Sequence, residues 1–344
     1  MNADPALDAL LLPFANGLLP MPADGDALFF GAREGAGLQP WRMRAVRCVQ
    51  GFKPLFDALQ RGGFDVRADA DGHERAGCVL SLPPRQREAA RAALARAVDA
   101  CAAGGVVVVA VPNNEGAKSA EADAKRLCGS VAGVLSKYHC RVFWVRPDAD
   151  TLDAALLAQW RMLDAPRELP GGWTSAPGVF AWDRIDSASA LLAGHFPGEL
   201  AGDIADLGAG WGYLSRQLLA RCAGVRSLAL FEADHVALHC ARINLAGAPI
   251  PVTFHWHDVA QGVPGRFDAV VCNPPFHAHD RRDRPGLGQR FIEVAATALK
   301  PGGRLWLVAN RHLPYEAVLA DGFAQVRVHA QRDGFKVVEA VRAR

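Results

Sequence analysis

Several things are missing from this chain, and each absence closes a class of function. The eight cysteines (Cys48, Cys78, Cys101, Cys128, Cys140, Cys222, Cys240 and Cys272) form no C-x-x-C pair. That argues against a structural zinc site or a redox dithiol, and leaves reduced, mostly buried small hydrophobes. His255 and His257 in "FHWHD" alternate as on one strand face, but no third ligand lies nearby, so no metal is expected. The opening "MNADPALDALLLPFANGLLP" has no basic n-region, and Pro13 and Asn16 break its apolar run. It is a poor signal peptide and too short to span a bilayer, so a cytoplasmic protein with no membrane partner is expected. Strong net charge is also lacking: the formal value is +2. A disordered tail or a heavily basic coat is thereby excluded, whereas an RNA partner is not, because binding depends on where the arginines lie.

What is present describes an ordinary folded protein of 344 residues, half of them hydrophobic, long enough for two domains with separate cores. A helical pattern followed by a Pro/Gly-rich break places a linker at 151–170, between a first domain at 1–150 and a second at 171–344. The second half alternates strands ("GDIADLGAG", "SLALFEAD", "VTFHWHD", "FDAVVCN", "RLWLVAN") with helices, and its tail places two strands around Asp333-Gly334, a hairpin signal. Repeated βα units imply an α/β fold with a mostly parallel, doubly wound sheet and an antiparallel edge. The first half echoes the second. Residues 77–114 run apolar strand, Pro-Pro, helix, Gly-Gly, apolar strand, the order found again from "DAVVCNPPF" to "GGRLWLVAN". Leu82 then falls where Asn273 sits, and Arg85 where Phe276 sits. A duplicated fold whose first copy has lost its chemistry is expected; two unrelated α/β domains sharing common vocabulary are the alternative.

"DLGAGWGYLS" sets Asp206, Gly208, Gly210 and Gly212 in a D-x-G-x-G-x-G turn between strand and helix. Dinucleotide turns prefer G-x-G-x-x-G, so the shifted third glycine favours S-adenosylmethionine over a nicotinamide cofactor. Asp206 would engage the methionine end. Glu232, ending the next strand, would accept ribose hydroxyls, and Asp258, ending the third, the adenine amino group. Singly, each acid reads better as a loop cap; their succession after the turn reverses that. Phe180 in "PGVFAW" is either a lid on the cofactor or a core aromatic.

The stretch "AVVCNPPFHAHD" ends a fourth buried strand in Asn273, Pro274, Pro275 and Phe276. An exocyclic amine on a base is a weak nucleophile, its lone pair delocalised into the ring. Two acceptors, the Asn273 amide oxygen and the Pro274 carbonyl, would hold its N–H bonds and stabilise the charge developing on nitrogen. The prolines bring no competing donors, and Phe276 offers a face for a flipped base. Cys272 invites a covalent pyrimidine mechanism, but a buried strand cysteine suffices. Beyond the motif, Arg281, Arg282, Arg284 and Arg290 would contact flanking phosphates of the RNA; a solvated loop balanced by Asp280 and Asp283 is the bland reading. Arg42, Arg44 and Arg47 form a weaker second patch.

"DLGAGWG", "NPPFHAHD", "GGRLWLVANRHLPYEAVL", "FKVVEAVRAR" and "WTSAPGVFAWDRIDSASALL" together resemble the bacterial 16S ribosomal-RNA guanine-N2 methyltransferases of the small subunit, closely over about 171–344. The resemblance implies two tandem Rossmann-like domains, the first cofactor-free and the second catalytic. It further implies a guanine amino group of small-subunit ribosomal RNA as target, and we expect a monomer. "ANRHL" is also similar to large-subunit (23S) relatives. The tetrapeptide alone leaves protein-glutamine and DNA-adenine methylation open, and a non-enzymatic RNA-binding assembly factor with a vestigial pocket is the rival outside enzymes.

Overall fold

The computed structural model describes residues 4–70, 72–275 and 285–344, and divides into two compact units, Met1–Ala165 and Pro166–Arg344. The first unit opens with a helix, Pro5–Ala15, which Asp4 caps by accepting from the backbone N–H groups of Ala6 and Leu7. Leu7, Leu10 and Phe14 of this helix lie in the core, so the apolar start of the chain is a packed helix. Seven strands follow: β1 (Ala27–Phe30), β2 (Arg47–Val49), β3 (Asp65–Arg67), β4 (Ala76–Ser81), β5 (Cys101–Pro112), β6 (Gly133–Lys137) and β7 (Cys140–Val145). They form one sheet in the order β3-β2-β1-β4-β5-β7-β6, parallel except where β7 pairs with β5 and β6. Short runs such as "ALFF" carry no alternation because helices cover both faces: Phe29 and Leu80 point into one core cluster, Leu28 and Val79 into the other.

In the second unit a two-stranded hairpin, β8 (Arg167–Leu169) and β9 (Trp173–Ser175), precedes a sheet of β10 (Ala201–Leu207), β11 (Gly224–Glu232), β12 (Val252–Trp256), β13 (Phe267–Cys272), β14 (Leu299–Asn310), β15 (Gln325–Arg332) and β16 (Phe335–Val341). Its order, β12-β11-β10-β13-β14-β16-β15, repeats the first sheet strand for strand. The expected closing hairpin is there: Asp333 and Gly334 both adopt positive φ, the demand of a tight two-residue turn. So is the internal echo. β5 and β14 each carry Gly-Gly at their fourth and fifth positions, with φ of +74° at Gly104 and +75° at Gly302. Leu82 and Asn273 each follow directly on their strands, β4 and β13.

The segment 151–170 differs from a bare connection. Residues Ala154–Arg161 form a helix whose Leu156, Leu157 and Trp160 pack into the first unit's core. Apolar spacing gives that helix a buried face, and the division falls later, between Ala165 and Pro166. Both β11 and β13 flank β10 in the second sheet, so the strand order reverses beside β10, and in open α/β sheets the carboxyl ends of the strands at such a reversal are where a ligand crevice forms.

Candidate active site

At the end of β10 the chain turns through Gly208, Gly210 and Gly212, with φ of +73°, +54° and +85°. A side chain would be strained at each. Their surroundings differ. A Cβ on Gly208 would come within 3.2 Å of Phe291, and one on Gly212 within 3.3 Å of Ala241, so these two glycines also serve close packing. A Cβ on Gly210 would meet nothing within 4 Å; this is the open side of the turn, where a ligand can approach the backbone. Gly208 and Ala209 donate to the Phe231 carbonyl, tying the turn to β11.

Asp206 is fully buried. Its Oδ2 accepts from the Ser215 hydroxyl at 2.7 Å, while Oδ1 has no partner among the described residues. Burial raises its pKa to about 7, against the Ser215 hydrogen bond. Glu232, half-buried at the end of β11, accepts from the N–H of Gly210 (2.7 Å) and of Asp234 (2.8 Å), and burial likewise raises it to about 7. Each oxygen keeps a lone pair for a ligand hydroxyl. Asp258 follows β12 and caps the turn after it, accepting from Ala260 N–H and from Gln261. Phe180 is 67% exposed, which removes the core-aromatic reading, and its carbonyl accepts from Trp211 Nε1 in the glycine turn. An orphaned buried acceptor, a bridging carboxylate and an open glycine together suit a ligand that brings hydroxyl and ammonium donors.

Just past the neighbouring β13, both N–H bonds of the Asn273 amide are taken: Nδ2 donates to Asp186 Oδ2 at 3.0 Å and to Ser189 Oγ at 2.8 Å. Its Oδ1 is buried and has no partner among the described residues. The amide is therefore left as an acceptor, followed by buried Pro274, which has no N–H to compete. Cys272 is an unsuitable nucleophile: its thiol is wholly buried, donates to the Leu207 carbonyl, and is held protonated by burial far above the ordinary thiol range.

Not every residue singled out from the sequence belongs to this group. Arg290, read as a phosphate contact, has its Nε on the Ala260 carbonyl and its Nη1 on Glu293, so it braces the Asp258 turn. Arg44 is engaged by Asp24 and the Pro22 carbonyl, and Arg47 by Glu74 and the Arg75 carbonyl, which weakens the second arginine patch. Phe276, Arg281, Arg282 and Arg284 lie outside the described residues. His255 stacks on Phe231 and His257 bonds the Gly262 carbonyl; no cluster of three metal-ligating side chains occurs among the described residues.

Asp186 and Ser189 escaped the sequence reading. "IDSAS" does signal a helix start, and Asp186 caps Ser187–Gly194, but nothing in the spacing links it to an amide 87 residues away. Asn244 also escaped. It exchanges hydrogen bonds with the Thr174 backbone and donates to the Trp211 carbonyl, joining the β8–β9 hairpin to the glycine turn.

The first unit repeats this framework without its chemistry. Gly31 and Ala32 donate to the Val49 carbonyl as Gly208 and Ala209 do to Phe231. Gln50 stands where Glu232 would, accepting from Phe52 N–H, but its amide nitrogen donates to Ala32 O. Leu82 is a core residue, and no acidic side chain stands at the end of β1.

The Methyltransferase small domain family matches residues 172–339. A Pseudomonas aeruginosa protein named ribosomal RNA small subunit methyltransferase C is 32% identical over 288 residues, 82% of this chain and 83% of that protein. An Alcanivorax borkumensis protein of the same name is 40% identical over 172 residues, and there the match spans 48% of this chain and 51% of the relative. Among solved structures, a T. thermophilus 16S rRNA N2-guanine methyltransferase (RsmC), in complex with AdoMet and guanosine, superposes with a TM-score of 0.80 at 25% identity, covering 98% of this chain and 92% of that one.

Proposed function

Because this chain belongs to the ribosomal RNA small subunit methyltransferase C family, we propose that it transfers a methyl group from S-adenosylmethionine to the exocyclic N2 amine of a guanine in 16S ribosomal RNA. The observation that carries the reading is the Asn273 amide, fixed as an acceptor at the carboxyl end of β13, beside the glycine turn that ends β10. An amine with two N–H bonds is the target such an acceptor takes.

Asp206, Gly210 and Glu232 would hold the cofactor: the orphaned Asp206 Oδ1 takes its ammonium directly or through water, the Glu232 carboxylate its ribose hydroxyls, and Gly210 its close approach. Gly208 and Gly212 shape the turn, Asp258 would receive the adenine amine, and Phe180 would cover the bound molecule. When bound, the cofactor supplies an electrophilic methyl on a sulfonium, whose transfer leaves sulfur neutral and gives nitrogen one proton to shed. Asn273 Oδ1 and the Pro274 carbonyl hold the amine's N–H bonds and stabilise the positive charge that grows there. Phe276 would stack the flipped guanine, and Arg281, Arg282 and Arg284 its flanking phosphates. The first unit, with its internally satisfied Gln50 and core Leu82, positions RNA or stabilises the chain, acting as a monomer within the small-subunit particle.

Nucleoside mass spectrometry of separated ribosomal RNAs from a strain lacking this protein tests the reading. One N2-methylguanosine should vanish from 16S RNA. Loss from 23S RNA instead would move the target to the large subunit, and an unchanged nucleoside profile would remove RNA as the substrate.

A further inference from the structure

An asparagine amide is two-faced: its oxygen accepts, its nitrogen donates, and rotation by half a turn exchanges them. A site that reads amines through such a group has to prevent the exchange. At Asn273 the partner on the nitrogen side is the Asp186 carboxylate, at 3.0 Å, joined by Ser189 Oγ at 2.8 Å. A carboxylate only accepts, so a flipped Asn273 would set its oxygen against Asp186 and lose that bond outright. Asp186 is itself held: the same Oδ2 accepts from Ser189 N–H at 2.8 Å, at the start of the helix Ser187–Gly194. That helix packs against the neighbouring helix Tyr213–Arg221, which starts at Gly212, so the clamp is anchored on the same framework as the glycine turn.

We propose that Asp186 and Ser189 are positioning residues that lock the Asn273 amide with its oxygen toward the substrate, and that this lock sets the site's specificity for a donor. Resting on the methyl-transfer reading above, the inference extends it. With the amide fixed, the site takes an atom that brings N–H bonds, such as guanine N2, and rejects one that presents a lone pair, such as a ring carbonyl. Donation to a charged acceptor also polarises the amide, making Oδ1 a better acceptor as positive charge builds on the amine.

The test pairs a binding readout with a complementary double variant in the full-length protein. Guanosine and inosine differ by the N2 amine, so calorimetry in the presence of S-adenosylmethionine should give wild type a preference for guanosine of at least about tenfold, the low end of what the amine's two hydrogen bonds supply. In Asp186→Ala and Ser189→Ala the preference should fall to about twofold or less, with the affinity for S-adenosylmethionine unchanged. Asn273→Asp sets two carboxylates face to face and should lower single-turnover methyl transfer by about 10²-fold. Asp186→Asn with Asn273→Asp restores one donor opposite one acceptor, and Asn remains a good helix cap, so the pair should recover at least about tenfold over Asn273→Asp. Should Asp186→Ala fail to fold, that pair still decides. A double variant no better than the product of its singles, or an undiminished guanosine preference in Ser189→Ala, overturns the lock. A wild type that binds S-adenosylmethionine but transfers no methyl to RNA overturns the functional reading, and the lock with it.

Discussion

If Asp206 and Glu232 hold the cofactor as proposed, two acids raised by burial make its binding a proton-linked event. Each has a folded-state pKa of about 7, raised by burial above the ordinary carboxylate range. A raised value means the folded chain binds the proton more tightly than the unfolded one. The associated stability is present at low pH and is lost as pH climbs from the usual carboxylate range through about 7. Ligand donors favour the ionised forms, so affinity for S-adenosylmethionine should tighten between about pH 6 and about pH 8 with release of protons, and Asp206→Asn should flatten the profile. Calorimetry in buffers of different ionisation enthalpy measures both, and an affinity independent of pH would count against these assignments. Gly208→Val should abolish cofactor binding through its positive φ and the approach to Phe291, which equilibrium dialysis would detect. The positions of the acids were legible in the sequence because each lies at or beside the end of a strand whose apolar run is plain. Asp186 was not, since its partner is distant in the chain.

At the scale of elements, the Asn244 side chain and a Trp173–Trp211 ring contact together tie the β8–β9 hairpin to the glycine turn. Asn244 makes three hydrogen bonds, two to Thr174 and one to the carbonyl of buried Trp211, and Trp173 packs edge-on against Trp211 with 5.3 Å between ring centroids. Asn244→Ala strips part-buried backbone groups of Thr174 and Trp211 of their partners and should cost about 1–2 kcal/mol in denaturant unfolding. Affinity for S-adenosylmethionine should fall with it, because the turn loses its brace. A variant as stable as wild type would show that water replaces the amide without cost. Strands and helices of the second unit were legible from apolar runs and glycine stops, and the closing hairpin from Asp333-Gly334. The helix Ala154–Arg161 was misread as part of a connection because the Pro/Gly-rich break just beyond it drew the boundary early.

On the scale of the whole chain, one fold occurs twice, while the set of Asp206, Glu232 and Asn273 occurs once. The same strand order carries Glu232 in one unit and Gln50 in the other, an acceptor-only carboxylate against an amide whose two ends are bonded internally. Cofactor binding should therefore reside in a fragment covering 166–344, and a fragment covering 1–165 should bind none; equal binding by both in calorimetry would contradict the division of labour. The duplication was visible as a repeated order of strand, Pro-Pro, helix and Gly-Gly, whereas the Gln50 replacement needed the fold to set it opposite Glu232. The central claim, that a fixed amide acceptor at Asn273 activates a guanine amine, is tested most directly by single-turnover methyl transfer to small-subunit RNA with the product identified by nucleoside mass spectrometry. Wild type should yield N2-methylguanosine, Asn273→Ala should be slower by about 10²-fold with cofactor affinity unchanged, and Cys272→Ser should remain active. An inactive Cys272→Ser beside an active Asn273→Ala would contradict the account and point to covalent chemistry on a ring carbon.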